Sequence, residues 1–409
     1  MRNNRYDYLI ILIIAVFIFG YLKSPLYPSR ILTIVLLPDI IGMTRKCKIC
    51  IPTYVKNFFI IWILFSSISI LWSYDRINGI KVFFYNICNI LTFLSIYLYS
   101  QKANNPIRSI FIGWIILFSL TVPIACYEFT SGMHLSNALQ DDDLTISSAD
   151  GFRMQRMFAA VSYGNLNTYN VVICYCLIFI LTSFFYFKKK IIHILLWILL
   201  LVSVIIILFN ASRGAFLCLF VGLIVFMSYL FKQKIISKYF IFLMLGGAAF
   251  FLYTYAELFM GQLLGRLVTA NIVEDNSRTE IYGRGLTALV ETLGLGVGSG
   301  GIAEALRRLS PNGIAAMHNM YLEFLVQYGI IPFIFYMTFL YKIFIGLYKS
   351  KQIYVRFLSI VTLFLSFPLF IINSNYLLNS ELWLFLGSIF TVLMINKSTC
   401  RYINNCYEN

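Results

Sequence analysis

Residues 191–209 read IIHILLWILLLVSVIIILF, and an apolar run of this kind decides the fold of the chain. A helix needs about 20 predominantly apolar residues to cross roughly 30 Å of hydrocarbon. Similar runs recur along the sequence and predict spans at Tyr8–Leu22, Ile31–Met43, Phe58–Trp72, Ile80–Tyr99, Ile107–Tyr127, Tyr169–Phe187, Ile191–Phe209, Ala215–Phe231, Tyr239–Tyr255, Met320–Tyr348, Val355–Ile372 and Leu382–Ile395. We therefore predict an all-α, polytopic membrane helix bundle of about 12 transmembrane helices, forming one integral membrane domain over residues 1–409.

The overall composition excludes an ordinary soluble domain. The 409 residues are 60% hydrophobic and 12% charged, whereas soluble domains carry about 25% charged residues. Arg2 and Arg5 precede an apolar run that lacks a small-residue cleavage site. We therefore expect this run to be an uncleaved first transmembrane span and not a signal peptide.

The positions of the basic residues predict the orientation. With a cytoplasmic N-terminus, 20 of the 32 lysines and arginines fall on the inner side, and nearly all the acids fall on the outer side. Cytoplasmic loops of membrane proteins carry such a basic excess, so both termini are predicted to be cytoplasmic. This topology accounts for the net charge of +15 without any binding of nucleic acid.

Two long outer loops interrupt the pattern of short connections, at residues 128–167 and 257–318. Loops of this length in compact proteins are usually functional or disordered. In the second loop, Ser277–Leu293 is predicted as an amphipathic helix capped by Asn276 or Ser277. Its predicted apolar side is formed by Ile281, Leu286, Leu289 and Leu293. On this helix Arg278 and Arg284 lie within roughly 120° of each other, so both are candidates to face one anion.

Metal-binding patterns are weak. Cys47 and Cys50 form a C-x-x-C without a second pair at zinc-ligand spacing. Asp141, Asp142 and Asp143 belong to an acidic, serine-rich patch whose simplest interpretation is a solvated stretch, with a bound cation as the alternative. We expect neither a metal nor a cofactor.

Three segments in the second half of the chain carry a family resemblance. They are Asn210-Ala211-Ser212-Arg213-Gly214-Ala215, then Ser277-Arg278-Thr279-Glu280-Ile281-Tyr282 with Leu295-Gly296-Val297-Gly298, and His318-Asn319-Met320-Tyr321-Leu322. Their order and their shared predicted face resemble the O-antigen ligase and O-antigen/capsular polysaccharide polymerase family, the integral membrane glycosyltransferases that use polyprenyl-diphosphate-linked glycans. The resemblance covers roughly residues 153–348 and implies location in the bacterial cytoplasmic (inner) membrane, with the active site on the outer face.

The resemblance also implies roles for individual residues. Arg213 and Arg278 take the places of the family's donor-diphosphate ligands, and His318 takes the place of the histidine near the reacting centre. Tyr282 stands where the family usually has tryptophan, and the Gly-Asn-Leu-Asn segment that ends at Asn167 has leucine where the family has proline. Further residues of these segments and loops are candidates for supporting roles: Arg153, Arg156, Asn165, Asn167, Tyr282, Arg284, Asn319 and Tyr321.

This chemistry fits the residue types. Arginine carries a permanent charge and a forked set of donors that suits a departing diphosphate. A divalent ion is then unnecessary, so we expect a metal-independent reaction. A neutral histidine is able to accept the proton of an incoming sugar hydroxyl.

The leading functional hypothesis is a repeat-unit polymerase that moves a glycan from its polyprenyl diphosphate donor onto a lipid-linked acceptor sugar. The first alternative is a ligase that delivers finished polymer to lipid A-core or another acceptor. The second, of another class, is a transporter or flippase for lipid-linked glycans, although no internal repeat of the kind common in transporters is evident. Chain-length regulators and flippases are candidate protein partners.

Overall fold

The computed structural model describes residues 4–20, 27–46, 51–135, 145–147, 153–155, 158–210, 212–233, 272–310, 316–372 and 376–407. Over these residues the α-helices are α1 Asn4–Ala15, α2 Pro28–Lys46, α3 Thr53–Ile68, α4 Arg76–Ser100, α5 Pro106–Ser131, α6 Leu166–Tyr186, α7 Lys190–Asn210, α8 Arg213–Lys232, α9 Ile272–Glu291, α10 Ile302–Leu309, α11 Met320–Tyr328, α12 Ile330–Tyr348, α13 Ile353–Leu369 and α14 Ser380–Tyr407. Short 3-10 turns occur at Val16–Phe19, Ser69–Leu71 and Tyr376–Leu378. Two three-residue strands, β1 Thr145–Ser147 and β2 Arg153–Gln155, pair antiparallel.

The predicted all-α membrane fold is confirmed, but the predicted count of about 12 spans is not. Among the described residues, 7 helices are long and apolar enough to cross a membrane. They lie at Thr53–Leu71, Arg76–Ser100, Pro106–Ser131, Leu166–Tyr186, Lys190–Asn210, Arg213–Lys232 and Ile330–Tyr348. Helix α13 is apolar but shorter, and the predicted span Tyr239–Tyr255 lies outside the described residues.

The prediction of one continuous helix at Met320–Tyr348 is wrong. The chain forms α11 and α12 instead, separated by Gly329 at φ 83°. This left-handed conformation is accessible to glycine at little steric cost. The amide of Ile330 donates to the carbonyl oxygen of Gly294 at 3.0 Å instead of continuing the helical pattern. The break therefore leaves α11 as a short helix joined to the loop around Gly294.

Two compact units make up the chain. The first comprises Met1–Leu117, Ser277–Ser359 and Asn373–Asn409, and the second comprises Phe118–Asn276 and Ile360–Ile372. Within the first unit, α4 packs along α14, and α3 along α12. Its core contains stacked aromatic rings, with centroids 4.4 Å apart for Trp62 and Trp383 and 4.7 Å for Phe58 and Phe339. Such pairs stabilise a core beyond the area that they bury.

The second unit is built around α6. This helix is almost wholly buried and packs against both α7 and α8. The Tyr169 hydroxyl donates to Thr121 Oγ1 on α5 at 3.1 Å, which satisfies a polar group that would be costly to bury alone. Helix α5, which leads into the predicted loop 128–167, thereby contacts α6.

Residues 294–301, here called the glycine strap, connect α9 to α10 within the first unit. Gly296, Gly298 and Gly300 have φ values of 84°, 86° and 72°. The strap amides of Val297 and Gly298 donate to the last carbonyl groups of α11, those of Val326 and Gln327, at 2.8 and 3.1 Å. The strap therefore ties the end of α9 to the end of α11.

Serine and amide side chains hold the other side of the strap. Ser299 Oγ donates to the Ser66 carbonyl oxygen at 2.7 Å, and Ser73 Oγ donates to the Ser299 carbonyl oxygen at 2.8 Å. The Asn78 amide donates to the Gly300 carbonyl oxygen at 2.9 Å, and the Trp72 indole N–H to that of Gly296 at 3.0 Å. Because buried backbone groups need such partners, these hydrogen bonds fix the position of the glycine strap against α3 and α4.

We expect Gly298→Ala to destabilise the protein strongly. A Cβ at this position would lie 2.5 Å from the Ser69 carbonyl oxygen and 2.8 Å from Ser73 Cα, on a backbone with positive φ. Together the strain and the overlap cost on the order of 3 kcal/mol. Gly283→Ala is the matched control, because a Cβ there meets nothing within 4 Å inside helix α9. In detergent, the midpoint temperature of thermal unfolding should fall clearly for Gly298→Ala and should not fall for the control. Equal midpoints would contradict the close packing of the strap at Gly298.

Candidate donor-binding site

Helix α9 supplies one side of the candidate site, and its orientation differs from the prediction. It begins at Ile272, so Asn276 and Ser277 lie inside the helix and do not cap it. Ile281 and Leu289 are buried as predicted, but Leu286 and Leu293 are 44% and 91% exposed. Gly285 and Ala288 complete the buried side in their place.

Small residues lie on the buried side of α9 because the segment that carries His318 approaches the helix closely. A Cβ at Gly285 would lie 2.6 Å from the terminal methyl group of Met317, so the helix presents small residues to its neighbour. The buried side of α9 belongs to one apolar cluster that also includes the strap, α10 and α11; its members are Ile281, Ala288, Val297, Ile302, Ala305, Leu306, Met317 and Val326. The Arg278 helix and the His318 segment are thus parts of one packed body.

Arg278, Tyr282 and His318 come together at this contact. Arg278 lies near the start of the described side chains of α9 and is partly exposed. Tyr282, one turn later, packs on the apolar cluster and donates its hydroxyl to the His318 carbonyl oxygen at 3.4 Å. The Arg278 guanidinium is near enough to His318 to disfavour a second positive charge on it. The structure therefore joins the second and third sequence motifs.

His318 occupies an unusual backbone conformation. Its φ is 47°, a left-handed value that few non-glycine residues adopt and that often marks a functional constraint. The next residue, Asn319, is the N-cap of α11, and its Oδ1 accepts from the amides of Tyr321 and Leu322 at 3.0 and 3.2 Å. The cap fixes the start of α11 directly after the histidine.

The environment of the imidazole favours its neutral form. Burial lowers the pKa of His318 below its ordinary value, and the nearby Arg278 lowers it further. The Nδ1 atom is buried and has no hydrogen-bond partner among the described residues. A buried, neutral imidazole of this kind is suited to accept a proton.

We expect Arg278→Gln to raise the pKa of His318, because the substitution removes the cation and leaves the burial in place. The pKa should move toward 6.5 and remain below it. Histidine-selective NMR of the detergent-solubilised protein measures the change directly, and His134 and His193, the other two histidines, serve as internal references. An unaltered His318 titration would show that the guanidinium does not act on the imidazole.

Arg284 has a different environment from Arg278. Its Nη1 donates to the Leu306 carbonyl oxygen of α10 at 3.5 Å, and its Nε lies 3.7 Å from Glu280 Oε1. These contacts connect α9 with the end of α10. Beyond them, Arg308 lies over the Tyr74 ring at 4.6 Å, and Arg307 lies 3.7 Å from Glu304.

The first sequence motif lies in the second unit. Arg213 is the first residue of α8 and its side chain is exposed, whereas the N-cap residue Ser212 is buried. A Cβ at Gly214 would lie 2.7 Å from Ile372 Cγ1, so this end of α8 packs tightly. The positive end of the helix dipole coincides with the arginine, and both favour a negatively charged ligand there.

The Gly-Asn-Leu-Asn segment forms the start of α6. Gly164 has φ 70°, and Asn165 is the N-cap, whose side chain accepts from the Asn167 amide at 2.7 Å. Helix capping thus accounts for the side chain of Asn165, whereas Asn167 contributes its backbone amide to the cap. Arg153 lies on β2 opposite Ser147, and Arg156 and Asp141 to Asp143 lie outside the described residues.

Several structurally important polar residues are not apparent from the sequence. Glu128, Asn210 and Glu323 are buried, and each side chain binds backbone groups distant in sequence. Glu323, one turn after Asn319, accepts from the amides of Tyr376 and Leu377 at 3.2 and 3.4 Å. Among the described residues, no group of three or more His, Cys, Asp or Glu residues is placed to hold a metal ion.

Comparison with known families finds a match over part of the chain. Residues 197–337 match the family described as O-antigen ligase, and this region contains Arg213, Arg278 and His318. Members of that family are membrane glycosyltransferase-like enzymes. This match confirms the resemblance to the O-antigen ligase family that the sequence motifs carry. No curated protein matches the chain.

Proposed function

We propose that this protein is a polysaccharide repeat-unit polymerase, which transfers a glycan from polyprenyl diphosphate to the sugar of a second lipid-linked unit. The observation that carries the proposal is the arrangement of Arg278 beside His318, joined through Tyr282, inside a region that matches the O-antigen ligase family. A permanent cation beside a histidine held neutral is the combination that transfer from a diphosphate requires.

In the proposed reaction, a hydroxyl oxygen of the acceptor sugar attacks the anomeric carbon of the donor glycan. The bond between that carbon and the diphosphate oxygen breaks, and the electron pair leaves with the polyprenyl diphosphate. Arg278 and Arg213 bind this diphosphate and stabilise the charge that develops on it. His318 takes the hydroxyl proton. No metal ion takes part, because the two guanidinium groups supply the positive charge.

We place the site on the outer face of the bacterial cytoplasmic membrane, with both termini cytoplasmic. The distribution of basic residues supports this orientation, and the motifs that carry Arg213, Arg278 and His318 fall on its outer side. A flippase that delivers lipid-linked units and a chain-length regulator are the partners that such a reaction requires.

A ligase is the second candidate, and the description of the matching family, O-antigen ligase, favours it. In this case the same donor site releases finished polymer onto lipid A-core or another acceptor. Because both reactions break the same bond to a diphosphate, Arg213, Arg278 and His318 serve both equally. The difference lies in the acceptor.

Deletion of the protein separates the two candidates. We expect cells without it to accumulate single lipid-linked repeat units, and complementation with the wild-type chain to restore polymer. Accumulation of polymer still attached to the lipid carrier would instead identify a ligase. Unchanged lipid-linked glycans would contradict both. Complementation with Arg278→Ala shows whether the accumulation depends on the proposed site.

A further inference from the structure

A buried carboxylate, Glu128, organises a second polar centre within the second unit. It lies near the end of α5 and is 1% exposed. Its Oε2 accepts from the amides of Ala160 and Val161 at 2.7 and 2.8 Å, and its Oε1 accepts from the amide of Leu135 at 3.0 Å. Three backbone donors therefore hold one carboxylate in a single orientation.

The backbone around this carboxylate is strained. Val161 is fully buried and has φ 54°, a value that is a real outlier for a β-branched residue. This conformation directs two successive amides, at positions 160 and 161, toward Glu128, as in the backbone concavities that bind anions. Strain of this kind persists where the surrounding structure over-determines it, and such places cluster at functional sites.

His134 is seated against the same carboxylate. Its Nδ1 lies 3.7 Å from Glu128 Oε2, and its ring stacks on Phe158 with centroids 3.9 Å apart and planes inclined by 17°. Nδ1 is buried, but the side chain as a whole is 19% exposed. The Nδ1 edge of the ring thus lies beside the carboxylate, Phe158 covers one face, and part of the side chain remains accessible.

This centre is connected to the motif that carries Arg213. Asn210, at the end of α7, accepts from the Ala159 amide at 2.7 Å and donates to the Ala159 carbonyl oxygen at 3.1 Å. It also donates to Asn170 Oδ1 at 2.9 Å. The backbone of Ala159, next to Phe158, is therefore hydrogen-bonded to Asn210, which lies three positions before Arg213 in the chain.

We propose that His134, oriented by Glu128, hydrogen-bonds a hydroxyl group of the glycan that the protein transfers. The inference rests on the proposed function for its substrate class. Three amide donors already satisfy the carboxylate, and the His134 Nδ1 has no hydrogen-bond partner among the described residues. A histidine that packs between a carboxylate and an aromatic ring, with part of its side chain accessible, is a well-placed polar group for a ligand.

Chemical footprinting of the wild-type protein tests the proposal without relying on a variant that must fold. Diethyl pyrocarbonate modifies accessible histidines, and mass spectrometry measures the rate at each one. We expect the lipid-linked glycan to slow modification of His134 at least about threefold, since the bound glycan covers the accessible part of its side chain. Undecaprenyl diphosphate without sugars should give no protection. His193, whose Nε2 lies 2.7 Å from the Phe187 carbonyl oxygen, is the control and should react equally in all samples.

A kinetic arm separates substrate binding from a structural role. His134→Gln should raise the KM for the glycan substrate about three- to tenfold, with a smaller change in kcat, and His193→Gln should change neither. If the wild-type chain transfers glycan but His134 reacts at the same rate with and without it, this inference is overturned and the proposed function stands. If no transfer is found while the glycan still protects His134, the proposed function fails and the glycan-binding site stands. Absence of both overturns both.

Discussion

Replacement of Arg278 by alanine is expected to abolish product formation and to leave membrane insertion intact. The side chain is partly exposed, so its loss creates no cavity in the core. It also removes the charge beside His318, on the side where the departing diphosphate is proposed to lie. Loss of one charged donor that stabilises a transition state costs on the order of 100-fold or more in rate. Polymer measured in complemented deletion cells, with protein quantified in the membrane fraction, provides the readout.

The same experiment on Arg213 tests the second proposed ligand of the donor diphosphate. Its side chain is exposed at the N-terminus of α8, and we expect an equally complete loss of product. Arg307→Ala is the matched control, because this arginine is also exposed and forms a surface ion pair with Glu304. Such pairs contribute little to stability, so the control should retain normal polymer. Normal polymer in either the Arg213 or the Arg278 variant would remove that residue from the mechanism.

Replacement of His318 by alanine should reduce kcat by about 100- to 10,000-fold, the usual contribution of a positioned general base. Donor affinity should change much less, since the proposed diphosphate ligands remain. The measurement is the rate of transfer in reconstituted membranes together with a separate binding assay for the donor. A variant with unchanged turnover would contradict a role for His318 in proton transfer.

The pH profile gives an independent check on the same residue. Burial and Arg278 lower the pKa of His318, so the neutral base persists below the ordinary histidine value of about 6.5. Wild-type transfer should therefore be maintained as the pH falls through 6.5 and be lost only below it. His193→Ala, in which a different imidazole is removed, should keep this profile. A loss of activity centred at or above 6.5 would show that another group controls the reaction.

Hydropathy predicted the membrane class correctly because the length of an apolar run is set by the thickness of the bilayer. It does not register backbone conformation, which is why the break at Gly329 was missed. The residues on both sides of that glycine are apolar, and only its positive φ and the hydrogen bond from Ile330 to Gly294 separate the two helices. Single glycines inside apolar runs therefore need separate consideration.

The candidate site was predicted unevenly for a related reason. The three motifs led to Arg213, Arg278 and His318 through the family resemblance. The buried side of α9 was predicted from its large apolar residues, yet Gly285 faces Met317 because close packing admits only a small residue. Glu128 is the first residue of the predicted loop 128–167, and two of its partners lie 32 and 33 residues away in sequence. Such side chain to backbone contacts leave no periodic pattern.

We propose that Arg213 and Arg278 both bind the donor diphosphate. Binding of undecaprenyl diphosphate to the purified wild-type, Arg213→Ala and Arg278→Ala proteins in nanodiscs tests it most directly. We expect one ligand per wild-type chain and a Kd at least about tenfold higher in each variant, because a charged hydrogen bond to phosphate is lost. Wild-type affinity in either variant, or two independent sites per chain, would contradict it.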